Sequence, residues 1–130
     1  MKKIRVLLAD DRDAIVSQVR AVLGDEFEVV GAVNNGREAV AEVKRLDPDV
    51  LVIDISMPIL DGLEAASQLR SRRRTKIVFL TVHEDEDFVA AAFASGASAY
   101  VVKFDVTTDL GSAIRNVVEG SIYISKSISR

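Results

Sequence analysis

The sequence has no cysteine and no tryptophan, and its 130 residues include only two prolines and one histidine. Without cysteine, disulfides, thiolate metal sites and cysteine nucleophiles are excluded. No apolar run approaches the roughly 20 residues that a membrane-spanning helix needs, and no signal-peptide cleavage pattern is visible. We therefore expect an intracellular, cytoplasmic protein that makes no membrane contact.

The chain also has no excess of positive charge, because its formal net charge is −3 at neutral pH. The one basic cluster, RSRRRTK at residues 70–76, is typical of a solvated loop between a helix and a strand. This balance does not favour nucleic acid or an anionic membrane as a direct partner. Hydrophobic residues make up 48% and charged residues 28%, which predicts one domain with a packed core.

Short apolar runs alternate with segments of helical periodicity. The runs are IRVLLA (4–9), FEVVGAV (27–33), VLVIDI (50–55), KIVFLTV (76–82) and AYVVK (99–103). Four of them are almost continuously apolar, which predicts strands covered on both faces, whereas the second is more interrupted and is expected nearer an edge. The alternation predicts an α/β fold with a parallel sheet, right-handed crossovers and helices on both faces.

The helical segments carry apolar residues three and four positions apart. The stripes are Ile15, Val19 and Val22; Ala39, Val43 and Leu46; Val89, Ala92 and Phe93; and Leu110, Ile114 and Val117, with a short third helix expected from about Leu63 to Arg70. Asp13 is expected to cap the first helix, and Thr107 or Thr108 the last. Pro48 ends the second helix and Gly96 the fourth.

Polar residues stand where the predicted strands end. Asp10 and Asp11 follow the first strand, Asp54 ends the third, Thr81 the fourth and Lys103 the fifth. In an open parallel sheet the functional site lies at these carboxyl ends, so the five side chains are expected at one edge. An unpaired carboxylate inside an apolar run would be costly, and a cluster of charges in a cleft favours a functional site.

The three carboxylates suit a hard divalent cation. Mg²⁺ takes oxygen ligands and typically joins one or two carboxylates to a phosphate, and Mn²⁺ is an expected substitute. We expect Asp11 and Asp54 to bind the ion directly and Asp10 to bind it through water, with the backbone carbonyl of Ser56 completing the set.

With a cation bound, Asp54 has the chemistry of a nucleophile toward a phosphoryl group, giving an aspartyl phosphate. Phosphoryl transfer needs mainly positioning and charge neutralisation around the phosphoryl oxygens. Lys103 would supply a second cation and Thr81 a hydroxyl donor.

At this point the chain resembles the receiver domain of bacterial two-component response regulators over nearly its whole length. The matching pieces are DD after the first strand, DISMP..DG after the third, LTVH at the fourth and SGASAYVVK at the fifth. The ending AIRNVVEGSIYIS is similar to the NarL/FixJ (LuxR-type) subfamily. The resemblance implies a flavodoxin-like (βα)5 fold, with a doubly wound five-stranded parallel sheet in the order 2-1-3-4-5.

The resemblance also implies how such a domain works. A sensor histidine kinase would pass a phosphoryl group to Asp54 in a Mg²⁺-dependent reaction, and Thr81 would move toward it. Tyr100 matches the aromatic switch position and would rotate inward, which changes the face formed by the fourth helix, fifth strand and fifth helix. Ser56 and His83 border the site and are expected to tune phosphoryl hydrolysis. Such a domain is no enzyme, since it catalyses only its own phosphorylation and dephosphorylation.

The expected division of the chain is a receiver domain over residues 1–119 and, over 120–130, the start of a linker or a C-terminal tail. Subfamily members continue into a helix-turn-helix domain that binds DNA and controls transcription, so a truncated regulator is favoured over a stand-alone receiver. DNA would be contacted only through that domain. Phosphorylation-dependent homodimerisation is a family expectation.

Three other classes share parts of this pattern. A phosphatase of the haloacid dehalogenase type also uses Asp, Lys and Mg²⁺, but its nucleophile follows the first strand in a D-x-D pattern, where this chain has DDRDA. A flavin-binding electron carrier would need a phosphate-binding loop after the first strand. This chain has ADDRDA there, and its carboxylates would repel the phosphate. A receiver-like interaction module that no longer takes phosphate also stays open.

Overall fold

The computed structural model describes residues 2–128, and these form six strands and five helices. The strands are β1 (Ile4–Ala9), β2 (Phe27–Val33), β3 (Val50–Ile53), β4 (Lys76–Thr81), β5 (Ala99–Val102) and β6 (Tyr123–Ile124). The helices are α1 (Asp13–Leu23), α2 (Gly36–Leu46), α3 (Gly62–Gln68), α4 (Glu86–Ala94) and α5 (Val106–Val118). None of the helices within residues 2–128 has the length and apolar character needed to cross a bilayer.

The strands form one parallel sheet in the order β2-β1-β3-β4-β5-β6. This confirms the predicted α/β fold and the 2-1-3-4-5 order, with the interrupted second strand at an edge. The sheet also includes β6, a sixth strand that the sequence pattern does not predict. Only two residues long, β6 has no periodicity of its own and depends on pairing with β5.

Alternate strand residues point to opposite faces of the sheet, and each face has its own core. Leu8 and Val52 pack on the side covered by α1 and α5. Leu7 and Ile53 pack on the side covered by α2, α3 and α4. In this doubly wound arrangement the loops that follow the strands meet at the carboxyl edge of the sheet, where the predicted site residues lie.

Two predicted helix caps are wrong. Asp13 is the first residue of α1 rather than its cap, which is Arg12 and makes no side-chain capping bond. Asp10 accepts the Arg12 N–H at 2.9 Å instead, so a residue of the acidic cluster organises this turn. Helix α5 begins at Val106, before either predicted threonine, because a 3₁₀ turn at Lys103–Asp105 leads directly into it.

The other helix boundaries agree closely with the sequence pattern. Helix α2 ends before Pro48, and Gly96 follows α4 with φ +112°, the left-handed geometry expected beyond a helix end. The short third helix exists and runs from 62 to 68 rather than from 63 to 70. Asp61 caps it by accepting the Glu64 N–H at 2.8 Å.

The proposed domain boundary near residue 119 stays a prediction. Residues 121–128 follow α5 and include β6, so this part of the predicted tail lies against the sheet. The last two residues of that tail lie outside the described part of the chain.

Candidate functional site

Asp54 is held rigidly at the carboxyl edge of the sheet. Its N–H donates to the Ala9 carbonyl at 3.0 Å, continuing the β1–β3 ladder by one residue beyond the end of β3. As a whole residue Asp54 is only 5% exposed, and its Oδ1 accepts the Ile55 N–H at 2.7 Å. The strand is therefore shorter than the predicted 50–55, and the turn after Ile53 directs this carboxylate toward neighbouring loops.

Lys103 joins two of the predicted site carboxylates. Its Nζ lies 2.9 Å from Oδ2 of Asp10 and 2.9 Å from Oδ2 of Asp54. Burial alone would lower the pKa of Lys103, but hydrogen bonds and charge from Asp10 and Asp54 outweigh it, so the net pKa shift is upward. Lys103 is therefore an ammonium at neutral pH. Lys103 lies in the 3₁₀ turn just beyond β5, whereas the run at 99–103 predicted that it would end the strand itself.

Carboxylate oxygens of Asp10, Asp11 and Asp54 lie within 4.8 Å of one another. Asp10 and Asp54 are buried, while Asp11 is exposed and leaves the cluster open to solvent. Three carboxylates this close repel one another, and the single charge of Lys103 neutralises only part of the cluster. An oxygen-only donor set with excess negative charge fits a hard divalent cation such as Mg²⁺. Ser56, the fourth predicted ligand, lies in the loop two residues beyond Asp54, and its role stays a prediction.

The predicted switch residues meet at the backbone of His83. Thr81 ends β4, is fully buried, and its Oγ1 accepts the His83 N–H at 3.4 Å. Tyr100 is also fully buried, and its hydroxyl donates to the His83 carbonyl at 2.9 Å. The side chain that was expected to rotate inward on activation is thus inward in this structure. Burial, followed by the charges of Asp54 and Asp85, raises the pKa of Tyr100.

The side chain of His83 connects two loops. Its Nε2 lies 3.0 Å from Oγ of Ser56, and its ring stacks on Phe88 with centroids 4.0 Å apart and planes 14° apart. His83 is therefore half-buried, although it lies in a loop. Sequence reasoning missed Phe88, because its position in α4 does not reveal how the preceding loop returns to it.

The loop after Asp54 is shaped by a glycine and a tight turn. A Cβ on Gly62 would lie 2.0 Å from the Asp54 carbonyl oxygen, so only glycine lets α3 begin this close to the site. Ile59 has φ +71° at the centre of a three-residue turn closed by a hydrogen bond of 2.7 Å. The loop borders an open groove of about 520 Å³ that Asp11 and Phe88 also line. There is therefore space for a small phosphoryl donor beside the acidic cluster of Asp10, Asp11 and Asp54.

Comparisons with known sequences identify the family of this chain. A family model for the response regulator receiver domain matches residues 6–115. The chain is 36% identical to the response regulator GacA of Pseudomonas viridiflava, over 98% of this chain and 61% of that protein. It is 34% identical to the transcriptional regulatory protein DegU of Brevibacillus brevis, over 98% of this chain and 55% of that protein. The chain thus spans between 55% and 61% of the length of these relatives.

Solved structures share the fold closely. A two-component response regulator of the LuxR family from Aurantimonas sp. SI85-9A1 superposes with a TM-score of 0.92 and 27% identity, covering 98% of this chain and 94% of that one. The signal receiver domain of a regulator designated NarL from Mycobacterium tuberculosis gives 0.87 and 28%, covering 92% and 99%. From the family match and these relatives, the chain belongs to the response regulator receiver domain family, in its NarL/FixJ subfamily.

Proposed function

We propose that this chain is a phosphorylation-activated signalling switch in the cytoplasm, and that Asp54 accepts a phosphoryl group from the phosphohistidine of a sensor histidine kinase. One observation carries the proposal. Asp54 lies 2.9 Å from the Lys103 ammonium and within 4.8 Å of the carboxylates of Asp10 and Asp11. The Asp54 carboxylate thus lies between the ammonium of Lys103 and two further carboxylates that could bind a metal cation.

In the proposed transfer, a carboxylate oxygen of Asp54 attacks the phosphorus of the donor. A P–O bond forms, the P–N bond to the donor histidine breaks, and the imidazole keeps the electron pair and takes up a proton. Bound Mg²⁺, held by Asp10, Asp11, Asp54 and the Ser56 carbonyl, would supply charge neutralisation for the phosphoryl oxygens. Mn²⁺ also accepts carboxylate and carbonyl ligands and would substitute.

The chain's own residues would stabilise the product. Lys103, whose Nζ lies 2.9 Å from Asp54 before the reaction, would pair with a phosphoryl oxygen after it. The Thr81 hydroxyl would donate to another phosphoryl oxygen and give up its contact with the His83 N–H, which is long at 3.4 Å. Because Tyr100 bonds the carbonyl of the same His83, movement of Thr81 would change the face formed by α4, β5 and α5.

The bridge between Ser56 and His83 supports a tuning role. These residues lie two positions beyond Asp54 and Thr81, and their side chains meet at 3.0 Å. With Phe88 stacked against the histidine ring, the bridge restrains the loops after β3 and β4. We propose that it limits water access to the phosphoryl group and so lengthens its lifetime.

The output of the switch is proposed from the relatives. DegU is by its name a transcriptional regulatory protein, and the chain matches only part of it. We propose that phosphorylation promotes homodimerisation and controls transcription through a helix-turn-helix domain joined to a receiver domain of residues 1–119. DNA would be contacted by that additional domain only.

Intact mass spectrometry after incubation with acetyl phosphate tests the phosphoacceptor assignment. Wild type is expected to gain one phosphoryl group in the presence of Mg²⁺ and none after chelation. Asp54→Ala is expected to gain none, while Asp13→Ala, a neighbouring exposed carboxylate outside the cluster, behaves as wild type. No gain in wild type would contradict the proposal and favour an interaction module that takes no phosphate. An equal gain in Asp54→Ala would also contradict it, because another residue would then accept the phosphoryl group.

A further inference from the structure

A buried serine lies beside β5, the strand that directly precedes Lys103. Ser125 is fully buried although it follows the last strand, and the next residue, Lys126, is exposed. The Ser125 Oγ accepts the Val102 N–H at 3.0 Å, and the Ser125 N–H donates to the Tyr100 carbonyl at 2.8 Å. The serine thereby continues the pairing along β5 after β6 has ended, with a hydroxyl in place of a backbone carbonyl. Val102 directly precedes Lys103.

The next two residues hold the chain on the other side of Lys103. The Lys126 N–H donates to Oδ2 of Asp109 at 3.3 Å, and the Ser127 hydroxyl donates to Oδ2 of Asp105 at 2.6 Å. Asp105 closes the 3₁₀ turn that begins at Lys103, and Asp109 is buried in the first turn of α5. Three consecutive residues therefore restrain the backbone on both sides of the lysine.

Residues 121–128, called here the C-terminal strap, also cross the edge of the sheet. Tyr123 packs against the core on the side of α1 and α5, whereas Ile128 packs against the core on the side of α4. The strap thus contacts both sides of β5. It covers part of the surface that the proposed function assigns to signal output.

The geometry points to the strap as part of the phosphorylation mechanism. We propose that Ser125 is a positioning residue for Lys103, and that phosphorylation of Asp54 alters the strap through this contact. The inference rests on the proposed function, since it needs a phosphoryl group on Asp54. Phosphorylation adds negative charge at the carboxylate that Lys103 binds at 2.9 Å, so the lysine and the backbone before it must readjust. Coupling between two sites is reciprocal, so loosening the strap must also change the stability of the phosphorylated state. Because the strap holds the backbone beside the lysine that would pair with the phosphoryl group, we expect this change to be a loss.

Backbone hydrogen exchange, measured by NMR, tests the forward direction. Wild type is compared with Mg²⁺ alone and with Mg²⁺ plus beryllofluoride, which mimics the phosphoryl group. The amides of Val102, Ser125 and Lys126 are expected to change their exchange rates on adding beryllofluoride, and to remain unchanged in Asp54→Ala. Unchanged rates at all three amides in beryllofluoride-bound wild type would overturn the inference.

The reverse direction uses Ser125→Ala, which removes the acceptor of the Val102 N–H. The rate of phosphorylation by acetyl phosphate is expected to fall by about fivefold or more, because a less well positioned Lys103 neutralises the charge of the transferring phosphoryl group less effectively. Ser125→Thr keeps the hydroxyl and is expected to restore most of the rate. Ser127→Ala, which loses the bond to Asp105, gives a second test if Ser125→Ala folds poorly. Exposed Ser121→Ala serves as the control within the strap.

A destabilised control separates positioning from simple loss of stability. Val43→Ala removes buried volume on α2, away from the strap, and is expected to lower stability without a comparable loss of phosphorylation rate. If Ser125→Ala loses no more rate than Val43→Ala, the strap is structural only and the inference fails. Wild-type phosphorylation at Asp54 with an unresponsive strap would leave the proposed function standing, whereas failure of wild type to be phosphorylated would remove both.

Discussion

The hydroxyl of Tyr100 donates a hydrogen bond to the backbone carbonyl of His83, 2.9 Å away. The bond ties β5 to the loop that follows β4. The N–H of the same histidine faces the Thr81 hydroxyl at 3.4 Å, and its ring contacts Ser56 at 3.0 Å. A displacement at the phosphoryl site would therefore reach the aromatic side chain through a single residue.

Tyr100→Phe removes this hydrogen bond and retains the ring packing against Phe79, whose centroid lies 6.5 Å away. The His83 carbonyl loses its partner, so the free energy of unfolding is expected to fall by about 1 kcal/mol. Urea denaturation measures the change. Unaltered stability would show that water replaces the phenol at no cost, and the proposed link from Thr81 to β5 would lose its physical basis.

The raised pKa values of the two tyrosines are expected to make the folded protein less stable at high pH. Burial raises the pKa of Tyr100, with further upward shifts from Asp54 and Asp85; burial and Asp109 raise that of Tyr123. A raised native pKa means that the folded protein keeps protons which the unfolded chain releases above about pH 10. This contribution to stability is present below that pH and is lost as the pH rises further; Lys103 acts in the same direction. Tyrosinate absorbance is expected to appear together with loss of native circular dichroism, and full tyrosinate absorbance in a folded protein near pH 10 would contradict the shifts.

Magnesium is expected to stabilise the fold by binding the native carboxylate cluster. A ligand at about 100 times its dissociation constant adds about 2.7 kcal/mol to the free energy of unfolding. Asp11→Asn is expected to lose most of this Mg²⁺-dependent gain, with little stability cost in chelator because the side chain is exposed and one repelling charge is removed.

Thermal denaturation with Mg²⁺ and with chelator measures this difference. Asp13→Asn is the matched control, since it removes an exposed carboxylate two residues away that is not in the cluster. An equal Mg²⁺ response in wild type and Asp11→Asn would rule out Asp11 as a ligand.

Breaking the bridge at 3.0 Å between Ser56 and His83 is expected to speed loss of the phosphoryl group. Ser56→Ala removes the hydroxyl and frees the two loops, so water gains access to the aspartyl phosphate. The half-life of the phosphorylated protein, followed by intact mass after removal of donor, is expected to shorten. His83→Ala should have a similar effect, and the double variant should add little, because both changes break the same contact. A longer half-life in Ser56→Ala would reverse the proposed role.

Two glycines are expected to respond oppositely to alanine. Gly62→Ala places a Cβ 2.0 Å from the Asp54 carbonyl oxygen, so the loop must shift, at a cost of up to about 3 kcal/mol. Gly111→Ala lies inside α5, where the nearest atom is the flexible end of Arg115 at 3.3 Å, and is expected to gain about 0.5–1 kcal/mol. Urea midpoints compare the two, and a neutral Gly62→Ala would show that the loop does not need its close approach to Asp54.

The strands and the edge that carries the site follow from simple rules of sequence. Nearly continuous apolar runs predicted the parallel strands, and their carboxyl ends predicted that Asp10, Asp54 and Lys103 would lie together. In the structure the Lys103 Nζ lies 2.9 Å from a carboxylate oxygen of Asp10 and 2.9 Å from one of Asp54. The roles of these residues in phosphoryl transfer stay predictions.

The remaining features depend on contacts between distant parts of the chain. Strand β6 exists through pairing with β5, and the burial of Ser125 follows from it. The stack of His83 on Phe88 requires a particular loop conformation, which local residue preferences do not specify. The predicted cap at Asp13 is wrong for a local reason: Asp10 accepts the Arg12 N–H in the turn before α1, and the helix begins at Asp13 itself.

The central claim is that Asp54 itself carries the phosphoryl group. Borohydride reduction of the protein after reaction with acetyl phosphate and Mg²⁺ converts an aspartyl phosphate to homoserine, which tandem mass spectrometry locates in the sequence. The account predicts homoserine at position 54 and none when Mg²⁺ is chelated. Homoserine at position 10 or 11 instead, or at no position in a protein that is folded and binds Mg²⁺, would contradict it.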